Sequence, residues 1–154
     1  METKRTELKV SALENGTVID HIPAASLFQA IKILKLDKAK NQVYFGTNLS
    51  SQKFGLKGII KVRDKFFEKE EINKIALVAP TATLIEIKDF EVAHKGKIDT
   101  PETVENFIKC FNPKCITNHQ AVPTKFKVIS DNGEMKLRCR YCEKTTTQAT
   151  MEFN

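Results

Sequence analysis

Four cysteines near the C-terminus are the residues with the clearest chemistry. Cys110 and Cys115 are separated by four residues, and Cys139 and Cys142 are separated by two. Each pair can chelate a metal ion from one tight turn, and four thiolates in a tetrahedron suit Zn²⁺ while leaving no open coordination position. The spacing therefore predicts one structural zinc ion per chain.

Other interpretations of these cysteines are weaker. An iron–sulfur centre is the main competing metal site, because iron clusters also take cysteine thiolates. A hairpin expected between the two pairs resembles a zinc ribbon and favours zinc. His119 could replace one ligand, but four cysteines already complete the set. A disulfide framework is disfavoured, because spaced cysteine pairs more often bind metal in a reducing compartment.

The N-terminal residues are polar and lack the apolar core of a secretory signal. No apolar run is long enough to cross a bilayer. Together with the cysteine pattern, this composition predicts a cytoplasmic protein.

A domain boundary is expected between Gly96 and Pro101, where turn-forming residues cluster. Thr100 and Pro101 predict the start of a short helix over residues 103–108. Farther along, strands are predicted at residues 125–130, 134–140 and 145–151, with Asn132-Gly133 as a hairpin turn. Residues 101–154 should therefore form a small all-β, zinc-ribbon-like domain.

Residues 1–100 show alternating strand and helix patterns. Strands are predicted at residues 6–12, 17–19, 42–49, 58–62, 83–87 and 90–93, with a loop over 48–54, and helices at 23–35 and 68–79. This order is close to β-α-β-β-α-β with an extra hairpin strand, the ferredoxin-like arrangement. The predicted fold class is therefore α+β, with two helices on one face of an antiparallel sheet.

A possible ligand site lies in this first domain. Asp20 and His21 follow a strand and precede a helix, and Lys57, Lys61 and Lys95 lie near glycines. Three lysines and a histidine in one pocket would suit a triphosphate, with Asp20 available to a ribose hydroxyl or a base amine. Spacing alone does not bring them together, and each lysine taken separately fits a solvated surface.

Motifs for other chemistry are absent from the sequence. It has neither the Walker pattern nor the Rossmann glycine fingerprint. It has no Gly-x-Ser-x-Gly elbow, and no pair of carboxylates stands out for acid–base catalysis. The cysteines are assigned to metal, so none is a free nucleophile, and we do not expect an enzyme.

The net charge of +6 raises the alternative of a zinc-ribbon nucleic-acid-binding protein. Residues 101–154 contribute +2 of this charge. Four thiolates and one divalent ion would bring the metal-loaded domain close to neutral. A neutral domain is a poor electrostatic match for a duplex, so this alternative is not favoured.

Three segments carry a resemblance to a known family: GTVIDHIPA at residues 16–24, LVAPTAT at 77–83 and CRYCEK at 139–144. With these segments and its cysteine spacing, the chain resembles the regulatory chain of aspartate carbamoyltransferase nearly end to end. The resemblance implies a nucleotide-binding allosteric domain at residues 1–100. It also implies a zinc domain at residues 101–154 that contacts the catalytic chain.

The resemblance also implies roles for individual residues of the first domain. The implied nucleotide contacts are Ala12, Leu13 and Val18 at the base, Asp20 at the ribose, His21, Lys57, Lys61 and Lys95 on the phosphate or sugar side, and Phe90 and Val92 as pocket walls. Three positions depart from the family pattern, namely Glu7, Ser11 and Ile85. In the zinc domain, Asn112, Tyr141 and Lys144 are implied contacts of the catalytic chain.

The resemblance implies a non-catalytic subunit of pyrimidine biosynthesis. Regulatory homodimers would link catalytic trimers into a dodecamer, with CTP-type nucleotides inhibiting and ATP activating through one shared pocket. A small-molecule sensor with this fold and no catalytic partner is the remaining alternative. Copurification with a catalytic chain would distinguish the two.

Overall fold

The computed structural model describes residues 13–52, 55–131 and 134–153. The chain divides into two compact units, Met1–Asp99 and Thr100–Asn154. The strand predicted at residues 6–12 and the turn predicted at Asn132-Gly133 lie outside the described residues, as does Ala12.

Strands and helices alternate in the described part of the first unit. They are β1 (Gly16–Pro23), α1 (Leu27–Ile33), β2 (Val43–Ser51), β3 (Gly55–Arg63), α2 (Lys69–Val78), β4 (Thr83–Lys88) and β5 (Glu91–Lys97). The strands form one antiparallel sheet in the order β2-β3-β1-β4-β5. This confirms the predicted α+β ferredoxin-like order and its extra hairpin strand.

The helices cover one face of this sheet. On that face Ile19 of β1 lies opposite Ile60 of β3 and Leu84 of β4, and all three are buried. Gly58 shares the face with Ile60, and a Cβ at Gly58 would lie 3.0 Å from the Leu27 side chain of α1. The absent side chain lets α1 approach the sheet closely. The alternate residues of the same strands therefore point away from the helices.

Some local predictions for the first unit differ from the structure. Helix α1 begins at Leu27, because Ala24–Ser26 form a 3-10 turn instead. Phe28 of α1 is 62% exposed and packs edge-on against Phe45 of β2. The loop predicted at residues 48–54 is wrong in its first part, because β2 continues to Ser51 through a register shift.

The second unit is built from short strands. They are β6 (Thr103–Glu105), β7 (Ile108–Lys109), β8 (Lys125–Asp131), β9 (Glu134–Cys139), β10 (Thr145–Thr147) and β11 (Glu152–Phe153). Four of them form a sheet in the order β10-β9-β8-β6, and β11 pairs with β7. Phe126 and Leu137 are buried in this unit. The prediction of a small all-β second domain is confirmed.

The helix predicted at residues 103–108 is wrong. The segment forms β6 and β7 instead, with Val104 opposite Phe126 and Ile108 opposite Phe153. Thr100 and Pro101 are local signals for a helix start. Cross-strand pairing of two β-branched side chains, both buried, overrides them.

Candidate metal centre and nucleotide face

The four cysteines converge in the second unit. Their Sγ atoms all lie within 4.8 Å of one another. The Sγ–Sγ distance is 3.7 Å both for Cys110 and Cys142 and for Cys115 and Cys139. These distances are too long for a disulfide, whose sulfurs are about 2.05 Å apart. They match the edge of about 3.8 Å expected for a tetrahedron with metal–sulfur bonds of about 2.3 Å.

Backbone turns hold the cysteines in place. Cys110 follows β7, and the Asn118 side chain donates to its carbonyl at 3.1 Å. Asn118 also donates to the Asn112 carbonyl at 2.7 Å, which fixes the loop that leads to Cys115. Cys139 ends β9, and its carbonyl accepts from the Glu143 N–H at 2.9 Å. The two chelating turns are thus built largely from local hydrogen bonds.

The thiols of Cys110, Cys115 and Cys139 differ in acidity. Burial raises the pKa of Cys110 and of Cys139. Burial acts in the same direction on Cys115, but hydrogen bonds from Thr117 and from neighbouring thiols outweigh it and lower its pKa to about 7. The Thr117 hydroxyl donates to Cys115 Sγ at 3.2 Å. A bound cation favours the thiolate forms of all four, so the donor set fits a thiophilic metal ion.

The second candidate site lies on the face of the first unit's sheet that points away from α1 and α2. Val18 of β1 lies opposite Lys61 of β3 on one side and Ile85 of β4 on the other, and Ile85 lies opposite Lys95 of β5. Residues paired in this way share a face. Sheet register therefore places Lys61 and Lys95 in one row with the apolar Val18 and Ile85 between them.

Leu13 completes the apolar part of this face. It packs with Val18 and Ile87, which are all nearly fully buried, while Ile59 and Ile85 lie against them. Lys61 is partly buried beside this cluster, and the loss of water lowers its pKa. The face combines an apolar floor with cationic side chains.

Asp20 and His21 lie at an irregularity of β1, where its register against β3 shifts between Ile19 and Ile22. His21 has a φ of 58°, and its backbone N–H donates to Asp20 Oδ1 at 2.7 Å. Its ring Nδ1 is 3.1 Å from the hydroxyl of Thr83. Lys57 forms an ion pair with Asp20, with Nζ 2.8 Å from Oδ1. Asp20 and Lys57 therefore neutralise each other beside the row, farther along β1 and β3.

Family comparisons cover nearly the whole chain. The model of the aspartate carbamoyltransferase regulatory chain, allosteric domain, matches residues 8–99, and that of its metal binding domain matches residues 102–152. The aspartate carbamoyltransferase regulatory chain of Pyrococcus horikoshii is 53% identical over 96% of this chain and 98% of its own length. That of Bacteroides thetaiotaomicron is 47% identical over 94% of each.

The chain belongs to the aspartate carbamoyltransferase regulatory chain family. A regulatory chain is a non-catalytic subunit, so this polypeptide is regulatory rather than catalytic. The cysteine cluster lies in the segment that matches the metal binding domain, and the row of Lys61 and Lys95 lies in the segment that matches the allosteric domain. No helix in the described part of the chain is long and apolar enough to span a membrane.

Phe90 and Val92 lie at and beside the turn between β4 and β5 of this regulatory chain. Both are exposed, and Phe90 has a φ of 65°. The Phe90 N–H donates to the Glu14 carbonyl at 2.9 Å. The Asp89 N–H donates to the Asn15 side chain at 3.2 Å. The turn is thereby tied to the segment that carries Leu13, which packs with Val18 and Ile87.

Sequence reasoning missed several residues around this face. Thr81 and Thr83 brace His21, since the Thr81 hydroxyl donates to the His21 carbonyl at 3.0 Å. Tyr44 of β2 lies opposite Lys61, with its ring centroid 5.2 Å from Lys61 Nζ. A strand was predicted over residues 42–49, but only the pairing register reveals that Tyr44 meets Lys61. The threonines carry no signal apart from the family segment that contains them.

Proposed function

We propose that this chain is the nucleotide-responsive regulatory subunit of an aspartate carbamoyltransferase, active in pyrimidine biosynthesis. Residues 1–100 form the nucleotide-binding domain and residues 101–154 the zinc domain that contacts the catalytic chain. The observation that carries the proposal is the row of Lys61, Val18, Ile85 and Lys95, which lies on the sheet face opposite the helices in a matched allosteric domain.

The chemistry of the face suits a nucleoside triphosphate. The base packs on Leu13 and Val18, with Phe90 and Val92 as walls, and Ala12 belongs to the same set. Lys61 and Lys95 meet the phosphates or sugar, because lysine is a point charge that binds phosphate without strict geometry. An apolar floor with cations at its edge therefore gives affinity for purine and pyrimidine nucleotides alike.

Asp20, His21 and Lys57 form the sugar end of the site. Asp20 already accepts from Lys57 and from the His21 N–H, so a ribose hydroxyl binds to a carboxylate whose charge is balanced. Lys57 and His21 lie on the phosphate or sugar side. CTP-type nucleotides and ATP compete for this one pocket, with CTP inhibiting and ATP activating.

The second unit carries one structural Zn²⁺ held by Cys110, Cys115, Cys139 and Cys142. A closed set of four thiolates stabilises the fold and leaves no position for a substrate. Around it Phe111, Ile116 and Tyr141 expose 56%, 44% and 43% of their surface. Aromatic side chains are enriched at protein interfaces, which supports contact with the catalytic chain here, together with Asn112 and Lys144.

A regulatory homodimer forms through the β2 edge of the first unit. The support is a group of exposed apolar side chains on this strand and beside it, namely Phe45 and Leu49 of β2, Phe28 of α1 and Leu56 of β3. An exposed apolar edge strand is unfavourable in a monomer. Such dimers link catalytic trimers into a dodecamer, and effectors act by binding its low- and high-activity states unequally.

Calorimetric titration with CTP and with ATP tests the nucleotide site. The wild-type chain, loaded with zinc, should bind both saturably, and ATP should displace CTP. Lys61→Ala should weaken binding by about 10- to 100-fold, since a charge-assisted hydrogen bond contributes about 1.5–3 kcal/mol and each 1.4 kcal/mol is tenfold in affinity.

Lys127→Ala is the matched control for that titration, because Lys127 is an exposed strand lysine in the second unit. Its affinity should equal that of the wild type. Absence of binding in a folded, zinc-replete protein, or equal losses in both variants, would contradict the proposed site.

A further inference from the structure

Tyr44 lies on the same sheet face as the proposed nucleotide site but outside the residue set implied by the family resemblance. It belongs to the edge strand β2 and is paired directly with Lys61 of β3. Lys61 Nζ lies 5.2 Å from the centroid of its ring. This distance is within the range at which an ammonium group is attracted to the face of an aromatic ring.

Tyr44 and Val18 flank Lys61 from opposite sides. Val18 is its partner on β1 and is 2% exposed, whereas Tyr44 is 49% exposed. The ammonium group of Lys61 is partly desolvated beside the apolar floor, which disfavours its charged form. Attraction to the electron-rich face of the tyrosine ring stabilises the charged form of Lys61 and restricts the positions that its ammonium group can occupy.

We propose that Tyr44 is a positioning residue that holds the Lys61 ammonium group in place to receive the phosphates of a bound nucleotide. This inference rests on the proposed nucleotide site. A lysine side chain has many rotamers, and restricting them before binding lowers the entropy lost when the ligand arrives. Tyr44 therefore raises affinity through Lys61, without itself needing to touch the ligand.

The test measures CTP and ATP affinities for two variants at Tyr44 by calorimetry. Tyr44→Ile removes the ring and keeps a residue that suits a strand, and it should bind about three- to tenfold more weakly. Tyr44→Phe keeps the ring face and should bind within about twofold of the wild type. Phe66→Ile, which removes a ring whose centroid lies 5.2 Å from the ammonium group of a different lysine, Lys88, should leave the affinity unchanged.

A double-mutant cycle with Lys61→Ala separates positioning from a general structural role. Because Tyr44 acts through Lys61, Tyr44→Ile should have no further effect in the Lys61→Ala background. Circular dichroism checks that each variant is folded, and Tyr44→Thr replaces Tyr44→Ile if that variant unfolds.

Each contrary result has a defined meaning. Unchanged affinity in Tyr44→Ile beside a loss in Lys61→Ala overturns the role of Tyr44 and leaves the nucleotide site intact. Equal losses from Tyr44→Ile with and without Lys61 also overturn it, because the effect would then be independent of the lysine. Absence of nucleotide binding by the wild type overturns both proposals.

Discussion

His21 and Phe90, at opposite ends of the proposed nucleotide-binding face, both adopt left-handed backbone conformations, with φ values of 58° and 65°. Bulky residues rarely adopt this region, which costs roughly 1–2 kcal/mol for a residue with a Cβ. His21 is braced by Asp20, Thr81 and Thr83. Burial of Phe90 offsets little of this backbone strain, because 65% of the side chain is exposed. At the scale of single residues, an aromatic side chain kept exposed in a strained turn suggests a ligand contact.

Substitution of Phe90 should therefore separate stability from binding. In Phe90→Asn the new residue tolerates the left-handed region, so the free energy of unfolding of the first unit should stay equal or rise by up to about 1 kcal/mol. Nucleotide affinity should fall about fivefold, because an aromatic contact with the base contributes about 1 kcal/mol. Thermal melting and calorimetry measure the two effects.

Asp89→Asn is the control for Phe90, because it changes the neighbouring turn residue, with a φ of 52°, and leaves the aromatic ring in place. It should not alter nucleotide affinity. If Phe90→Asn binds as tightly as the wild type, Phe90 is not a wall of the pocket.

The sequence shows which residues could bind a ligand more readily than it shows which of them lie close together in the fold. Lysine chemistry at Lys57, Lys61 and Lys95 suggested a phosphate site, but their spacing could not show which share a face. The pairing of Lys57 with Asp20, and of Lys61 with Tyr44, depends on the register of strands that are far apart in sequence. Register is set by long-range packing rather than by local propensity.

At the scale of elements, the two units draw on different sources of stability. The first unit buries a sheet face beneath two helices, whereas the second has short strands and a small core. A unit of this size rarely folds on its core alone, and binding of a structural metal ion contributes folding free energy directly. Metal binding by the four cysteines should therefore supply folding free energy that the small core of this unit does not.

Removal of the metal should unfold the second unit and spare the first. A strong chelator, or Cys115→Ala, should abolish the β-sheet signals of residues 101–154 in NMR spectra, while those of the helices and sheet of residues 13–99 persist. Elemental analysis of the untreated protein should find one zinc per chain and no iron.

Thr117→Ala is a milder change than Cys115→Ala, because it keeps all four cysteines and removes only the hydroxyl that donates to the Cys115 sulfur. It should lower zinc affinity about tenfold without loss of the fold, as is typical when a hydrogen bond to a ligand is removed. Retention of the second unit's fold in metal-free protein would refute a structural role for the ion.

The order of elements was more predictable than their ends. Helix α2 was predicted at residues 68–79 and spans Lys69–Val78. This prediction succeeded because the signals for the start of the helix are local: its first turn is acidic, and the Glu68 N–H donates to the Glu71 side chain. The predicted helix at residues 103–108 was wrong because Val104 and Ile108 find strand partners from distant segments. Local sequence carries no information about those partners.

At the scale of the whole molecule, regulation requires that the subunit assemble. Two apolar side chains of the edge strand β2 are exposed: Leu49 is 38% exposed, and Phe45 is 54% exposed although it packs against Phe28. Burial of such an edge in a second copy removes unpaired backbone groups and apolar surface from water together.

A charge at this edge should disrupt the dimer. Phe45→Glu should convert a dimer into a monomer in light-scattering measurements, because an unpaired carboxylate would be buried at the interface. Phe111→Glu, at an exposed phenylalanine of the metal unit, should remain dimeric. A wild-type chain that is monomeric at concentrations of tens of micromolar would contradict the proposed dimer.

The central claim is that nucleotide bound to this chain controls a partner's carbamoyl transfer, and a rate assay of the reconstituted complex tests it most directly. With the cognate catalytic chain, CTP should lower and ATP should raise the rate at subsaturating aspartate. Coupling free energies of about 1–3 kcal/mol are typical of such effects. The complex with Lys61→Ala should assemble normally yet respond weakly to both nucleotides. Failure of the wild-type chain to join the catalytic chain, or a complex whose rate neither nucleotide changes, would contradict the account.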